Sequence, residues 1–374
     1  MALCSAGHED MKNHHKHPTL SDVAKRAGVG TTTVSRVING GSRVDPETLA
    51  HVRSVIEAVG YVPNNAARVL TGARTKIIGL VAPGTVDPFF ASCAEVIESV
   101  ARAHDSLLIV STTQNDVHKE MASVSALLRH RVEGLIIAPA SPDSKQLLAF
   151  LNRTTIPVIA LDRPIGRSNI PYVVADNCMG ARVATKHLIE HGYEHIACLT
   201  GEDTLYTIRE RLRGYREAMN AAGLIPRTIT SVVDQASAAA AVDQLFASAK
   251  RPQALLTLKN KTTIYTYDAL QERNISVPDS VALLGYDDFE LAATLRPSVT
   301  VVQQPIEDLG RAAADLLFKE LNTPRISHPA SLEGRSRKLQ LRTRLIRRSS
   351  CGCCARPASY LCQCMVRRLV ASEK

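Results

Sequence analysis

Hydrophobic positions along the chain change their period near residue 76. From Leu20, apolar residues recur at helical spacing (Leu20, Val23, Ala24, Ala27) until Gly28 stops the run. Thr31 to Asn39 restarts the helix with Val34, Val37 and Ile38 inward, and Gly40-Gly41 ends it. A third helix opens on Asp45 as N-cap and Pro46 as first helical residue, carries Leu49, Val52, Ile56 and Val59, and stops at Gly60. Three short helices, the first two joined by a tight glycine turn, have helix-turn-helix spacing. Residues 64–72 have helical propensity but too few apolar groups to fold alone, so they predict a hinge that orders only with help. A basic linker follows to Lys76.

Beyond Lys76, short apolar strands alternate with amphipathic helices. Strands are predicted at 77–82, 106–112, 134–138, 158–162, 195–200, 229–233, 254–258 and 281–285. Helices are predicted near 90–103, 117–130, 144–152, 178–191, 207–222, 237–249, 262–273 and 305–321. This alternation predicts doubly wound parallel sheets with helices on both faces, in two lobes. Ligands of such folds bind beyond the carboxyl ends of the strands, so a cleft between the lobes is the expected site. The resulting division is an extension at 1–17, a helix-turn-helix domain at 18–63, a hinge helix and linker at 64–75, and a core at 76–348. Its first lobe covers 76–175 and 304–335, its second 176–303 and 336–348. Residues 349–374 are expected to be an unstructured Cys/Arg-rich tail, and deleting 351–374 is expected to leave specific DNA binding nearly unchanged.

Composition narrows the class. The 374 residues are 45% hydrophobic and 22% charged, which excludes wholesale disorder. No apolar run approaches the roughly 18 residues a membrane helix needs, and no apolar secretory segment is visible near the start. A cytoplasmic protein of the bacterial nucleoid, without membrane contact, is the expectation. The formal charge of +9 suggests nucleic acid, but its location weakens that inference: 335–374 holds 11 basic residues against Glu373 alone, whereas 1–334 nets −1 and 1–75 nets +3.

The search for catalytic chemistry finds no glycine-rich phosphate loop, nucleophile elbow or H-E-x-x-H helix, so neither an enzyme nor a cofactor is expected. His191 and His195 are four apart, but Gly192 breaks the helix between them. Cys351 and Cys354 form a single C-x-x-C, a weak zinc signal without a second pair. No metal site is therefore expected. Cys93, Cys178 and Cys198 read as small core residues. Isolated Asp and Arg residues at strand ends fit ligand contacts and surface pairs equally well.

Several segments together resemble the lactose/galactose-repressor (LacI–GalR type) family of transcriptional regulators. They are Thr19-Leu20-Ser21-Asp22-Val23-Ala24, Ala27-Gly28-Val29, Thr33-Val34-Ser35-Arg36-Val37-Ile38-Asn39-Gly40 and Gly60-Tyr61-Val62-Pro63-Asn64. The likeness continues through Asp87-Pro88-Phe89-Phe90, Asp162-Arg163, Arg211-Leu212-Arg213-Gly214-Tyr215 and Gly285-Tyr286-Asp287-Asp288, covering about residues 18–348. It implies an all-α head-piece with hinge helix ahead of a periplasmic-binding-protein-like core. The implied function is repression of carbohydrate-related genes by a homodimer on a palindromic double-stranded DNA operator, under allosteric control by a small sugar or sugar acid. The second helix would lie in the major groove, with Thr31 and Thr32 on base edges and Arg36 forked to guanine. Ser21, Ser35, Asn39, Arg43 and Tyr61 suit phosphate or register contacts; Asn39 also suits a helix cap. By position in the family's hinge, Leu70 would wedge into the minor groove, with Asn64 and Ala67 nearby.

The same resemblance assigns Asp87, Phe89, Phe90, Asp162, Arg163, Arg211 and Asp287 to the effector cleft. With no Trp in the chain, stacking on a sugar would fall to Phe89, Phe90, Tyr286 or Phe289. Lys259-Asn260 departs from the family's usual Asn-Asp or Asn-Asn; a lysine there suits a carboxylate or phosphate on the ligand, and equally a solvent-facing role. Gly30 departs from the N-capping serine often found there. The alternative to a regulator is a sugar-binding protein without a DNA role.

Overall fold

The computed structural model describes residues 18–40, 44–62 and 74–353, apart from 142, 167, 202 and 324–337. The chain divides into two compact units, 1–75 and 76–374. In the first, α1 (Leu20–Ala27) begins with a capping box: the Asp22 amide donates to Thr19 Oγ1, and the Thr19 amide donates back to Asp22 Oδ2 at 2.9 Å. Helix α2 (Thr31–Ile38) has Gly30 as its N-cap and no side-chain cap. Helix α3 (Pro46–Val59) is capped by Asp45, which accepts from the Glu47 and Thr48 amides. Val23, Ala24, Ala27, Val34, Val37 and Val52 form the small core that holds the three helices together.

The second unit contains two six-stranded sheets of matching strand order. The elements of the first lobe are β1 (Ile77–Ala82), α4 (Pro88–Ala103), β2 (Leu107–Thr112), α5 (Val117–Arg129), β3 (Gly134–Ile137), α6 (Lys145–Leu151), β4 (Val158–Leu161) and β5 (Tyr172–Ala175). Those of the second are α7 (Asn177–Glu190), β6 (Ile196–Leu199), α8 (Tyr206–Ala221), β7 (Arg227–Ile229), α9 (Gln235–Ala247), β8 (Ala254–Thr257), α10 (Asn260–Glu272), β9 (Ala282–Tyr286) and β10 (Thr300–Gln303). The chain then returns to the first lobe with α11 (Ile306–Asn322) and β11 (Lys338–Leu341), and crosses again to β12 (Arg344–Ile346). The sheets run β11-β5-β4-β3-β1-β2 and β12-β10-β9-β8-β6-β7, parallel throughout except that β12 is antiparallel to β10.

Period-two alternation explains why both faces of each sheet are covered. Ile78, Leu80 and Ala82 enter one core cluster with α4 and α11, while Val81 enters the opposite cluster with α5 and α6. In the second lobe Ile196 and Cys198 face α7 and α8, and Ala197 and Leu199 face α9. Cys93 and Cys198 are fully buried and Cys178 nearly so, as expected of core residues. Helices α7 and α8 meet backbone to backbone at Gly214, where an added Cβ would fall 2.0 Å from the Cys178 carbonyl oxygen. Gly214→Ala should therefore force the helices apart and cost about 1–3 kcal/mol in a denaturant melt; an unchanged midpoint would show that the two helices move apart freely.

Each predicted helix from 90 onward forms with ends within two residues of expectation. Three corrections concern the strands and tail. Strands β5, β10, β11 and β12 were not predicted, and the strand expected at 229–233 forms at 227–229 instead. The segment 336–348 does not belong wholly to the second lobe, because β11 pairs with β5 in the first. Residues 349–353 are also not a loose tail: Ser350 and Cys351 are fully buried. Ser350 Oγ accepts from the Thr300 amide (2.8 Å) and donates to the Leu283 carbonyl (2.6 Å), and Arg348 forks onto Asp288 at 3.0 and 2.8 Å. Cys354, Cys362 and Cys364 lie outside the described residues.

Candidate functional site

In the helical head, apolar spacing decides which face of α2 is free. Val34 and Val37 are buried, so Thr32, Ser35, Arg36 and Asn39 fall on the opposite face; Thr31, Thr32, Arg36 and Asn39 are exposed and Ser35 is half-buried. Asn39 closes the helix and donates from Nδ2 to Ser35 Oγ at 3.4 Å, so the cap expected of it is present. Ser21 is exposed near the start of α1, and Tyr61 packs half-buried against the helical core. Arg43, Asn64, Ala67 and Leu70 lie outside the described residues. The free face offers hydroxyls, an amide and one guanidinium on a rigid scaffold, a surface suited to base edges and phosphate oxygens.

In the larger unit, the charged residues converge where strands end. Asp162 follows β4 and Asp287 follows β9, at matching places in the two sheets, and each takes the left-handed conformation with φ of 68°. Arg163 is 3% exposed and held inside its lobe: Nε donates to Asp162 Oδ2 (3.0 Å), and Nη1 donates to Asn115 Oδ1 (2.9 Å) and the Pro139 carbonyl (3.0 Å). Burial pushes the Asp162 carboxyl up, while Arg163 and Arg211 pull it back down.

Arg211 anchors the other side. Nε donates to Asn177 Oδ1 (2.7 Å), Nη1 to the Leu258 carbonyl (2.7 Å) and to Asp287 Oδ2 (3.0 Å), and Nη2 to Asp287 Oδ1 (3.3 Å). Its guanidinium lies over the Tyr286 ring at 3.8 Å. Burial works against that charge, but Asp287 leads the groups that outweigh it, so Arg211 stays cationic. Asp287 also accepts from Gln304 Nε2 at 2.6 Å. Lys259 Nζ lies 3.6 Å from Asp87 Oδ2, an ion pair between the start of α10 in the second lobe and the N-cap of α4 in the first. The solvent-facing reading of Lys259 is thus only part of its setting. Asn260 is buried, its Oδ1 accepting from the Lys261 amide.

The aromatic residues divide. Phe89 and Phe90 are buried, edge to face at 4.9 Å, within the first lobe's core. Tyr286 is fully buried with one face covered by Arg211, and Phe289 packs half-buried on the second lobe's core. Asn177, Gln304 and Asn115 were not singled out in the sequence. The first two stand where the chain crosses between lobes, Asn177 as the first residue of α7 and Gln304 between β10 and α11; that position was the available signal. Gln304 Oε1 and Thr200 Oγ1, the latter just beyond β6, are buried without a hydrogen-bond partner among the described residues. The assembly pairs fixed carboxylates and guanidinia that can fork onto the hydroxyls of a small polar molecule.

Comparison with known proteins covers both units. Residues 19–64 match the model of "Bacterial regulatory proteins, lacI family", and residues 75–342 match that of "Periplasmic binding proteins and sugar binding domain of LacI family". The chain is 33% identical over 309 residues to the HTH-type transcriptional repressor PurR of Aliivibrio fischeri (strain MJ11), covering 81% of this chain and 91% of the relative. It is 30% identical over 335 residues to the ribose operon repressor of Escherichia coli (strain K12), covering 89% and 99%. Among solved structures, the lac repressor dimer bound to operator and the anti-inducer ONPF is similar with a TM-score of 0.78 at 25% identity, over 90% of this chain and 99% of that one.

Proposed function

The chain belongs to the LacI family of DNA-binding transcriptional repressors with a sugar-binding domain, and on that premise we propose that it acts as a homodimer on a palindromic double-stranded operator, under control of a sugar or sugar acid held between its lobes. The observation that carries this reading is the free face of α2, on which Thr32, Ser35, Arg36 and Asn39 stand opposite the buried Val34 and Val37. Thr31 and Thr32 take base edges, Arg36 takes guanine, and Ser21, Ser35, Asn39, Arg43 and Tyr61 fix register on phosphates. Asn64, Ala67 and Leu70 serve the minor groove.

Self-association is supported by edge strand β2, which leaves Leu107 61% and Val110 39% exposed, an apolar edge that a second copy would cover. Asp87, Asp162, Arg163, Arg211, Lys259, Asn260 and Asp287 hold the effector, with Phe89 and Phe90 backing the cleft. A ligand that favours one lobe closure over the other shifts the repressor between states; one that binds both equally shifts nothing. No helix of the described residues is long and apolar enough to cross a membrane, and we place the protein in the cytoplasm, on the nucleoid. The curated relatives named above are repressors, which leaves the reading as a sugar-binding protein without a DNA role the weaker one.

A thermal-shift screen of sugars, sugar acids and sugar phosphates tests the effector class, because a ligand at 100 times its Kd stabilises by about 2.7 kcal/mol. If the effector carries a carboxylate, Lys259→Ala weakens it about tenfold or more by removing a charged partner and leaves neutral sugars unaffected. Equal loss for both classes would exclude Lys259 as the carboxylate contact. A screen in which no compound moves either the melting point or operator affinity would remove the effector from the account.

A further inference from the structure

The C-terminal segment that packs against the second lobe ends beside two histidines. His187 and His191 are one turn apart at the end of α7, and Cys351 and Cys353 are brought to them from some 160 residues away by the docking of Ser350 and Arg348. His187 Nε2 lies 3.3 Å from Cys351 Sγ and 3.5 Å from Cys353 Sγ; His191 Nε2 lies 3.2 Å from Cys353 Sγ. All four atoms fall within 4.8 Å of one another. A tetrahedral zinc ion, with bonds of about 2.0–2.1 Å to nitrogen and 2.3 Å to sulfur, sets its ligands about 3.3–3.8 Å apart. The three nitrogen–sulfur separations, 3.2, 3.3 and 3.5 Å, come close to that edge length.

We propose that His187, His191, Cys351 and Cys353 bind one structural zinc ion that fastens the C-terminal segment to α7. The surrounding groups suit this role. His191 Nδ1 donates to the His187 carbonyl at 2.9 Å, which leaves Nε2 with its lone pair toward the thiols, the usual arrangement for a ligating imidazole. Thr300 Oγ1 donates to Cys351 Sγ at 3.1 Å. Gly352 has φ of +89°, and a Cβ there would lie 2.8 Å from Tyr193 Oη, so the Cys-Gly-Cys turn that aims both thiols inward has little room for another residue. Two thiolates and two imidazoles in a tetrahedron form a donor set that suits zinc. The site lies apart from the effector cleft, although α7 also carries Asn177, the partner of Arg211.

Spacing along the sequence hides this cluster, because it pairs His191 with His195 and Cys351 with Cys354. His195 is exposed beyond the Gly192 helix stop, and the partner of His191 is instead the histidine four residues before it.

The test uses the full chain, purified under reducing conditions without chelator. Elemental analysis should find about one zinc per chain. Cobalt(II) exchanged into the site should give a tetrahedral visible spectrum with thiolate-to-metal charge transfer. Cys353→Ser and His191→Gln should each lose most of the metal, and a chelator should lower the melting point of the native chain but not of either variant. The cobalt spectrum of the native chain gives an answer even if a variant fails to fold. Absence of both zinc and cobalt binding would overturn the proposal, as would a Cys351–Cys353 disulfide in place of metal. Undiminished metal in both variants would do the same, assigning the ion to other residues.

Discussion

Replacing Arg36 with alanine should abolish discrimination between the operator and unrelated DNA while leaving effector affinity unchanged. Arg36 is exposed on the free face of α2, whose other side is fixed to the helical core through Val34 and Val37. A bidentate arginine–guanine pair supplies about 1–3 kcal/mol of discrimination, and a palindrome uses it twice, so the loss approaches about 2–6 kcal/mol for the dimer. Non-specific affinity should fall only slightly, because it depends on phosphate neutralisation and only one positive charge per chain is removed. Competition gel shifts at fixed salt, with isothermal titration of the effector alongside, separate the outcomes. Parallel loss of DNA and effector binding would mean that Arg36 supports folding rather than readout.

The second large effect is at Asp287. Asp287→Ala would leave Arg211, 3% exposed, without the carboxylate that forks onto it, and would strip Gln304 of its acceptor. Breaking a buried ion pair from one side costs about 3–5 kcal/mol, since the remaining charge stays buried. The retained bonds from Arg211 to Asn177 and the Leu258 carbonyl place the expected value toward the lower end. Asp287→Asn keeps an acceptor and should cost less, whereas both variants should lose effector binding. Denaturant unfolding of the full chain measures the difference; a cost below about 1 kcal/mol for Asp287→Ala would show that water, not Asp287, neutralises Arg211.

Legibility from the sequence followed local signal strength. Helices of the core carry 3.6-residue periodicity and strong caps, such as Asp116, Ser144, Asp176 and Asp234, and were placed within two residues. Strands of three or four residues such as β11 and β12 carry almost no pattern of their own; they form because β5 and β10 offer free edges. The strongly charged cleft residues stood at strand ends where the sequence left ligand contact and surface pairing equally open, and the family resemblance singled them out. What joins them, Asn177 and Gln304, has no sequence signature beyond its place at the lobe crossings. The net charge of +9 says little about DNA binding, because it lies after residue 334, outside the helical head. Only the start of the tail departs from expectation: its composition suggested a loose segment, but Ser350 and Cys351 complete the second lobe's interior.

Selection of DNA by the full-length protein from a pool of random duplexes, at near-physiological salt, tests the central claim most directly. The account predicts enrichment of a two-fold symmetric sequence, lost with Arg36→Ala and shifted in affinity by whichever sugar or sugar acid raises the melting point. Failure to enrich any sequence, while the same preparation still binds its sugar, would contradict it and leave a sugar-binding protein without a DNA role.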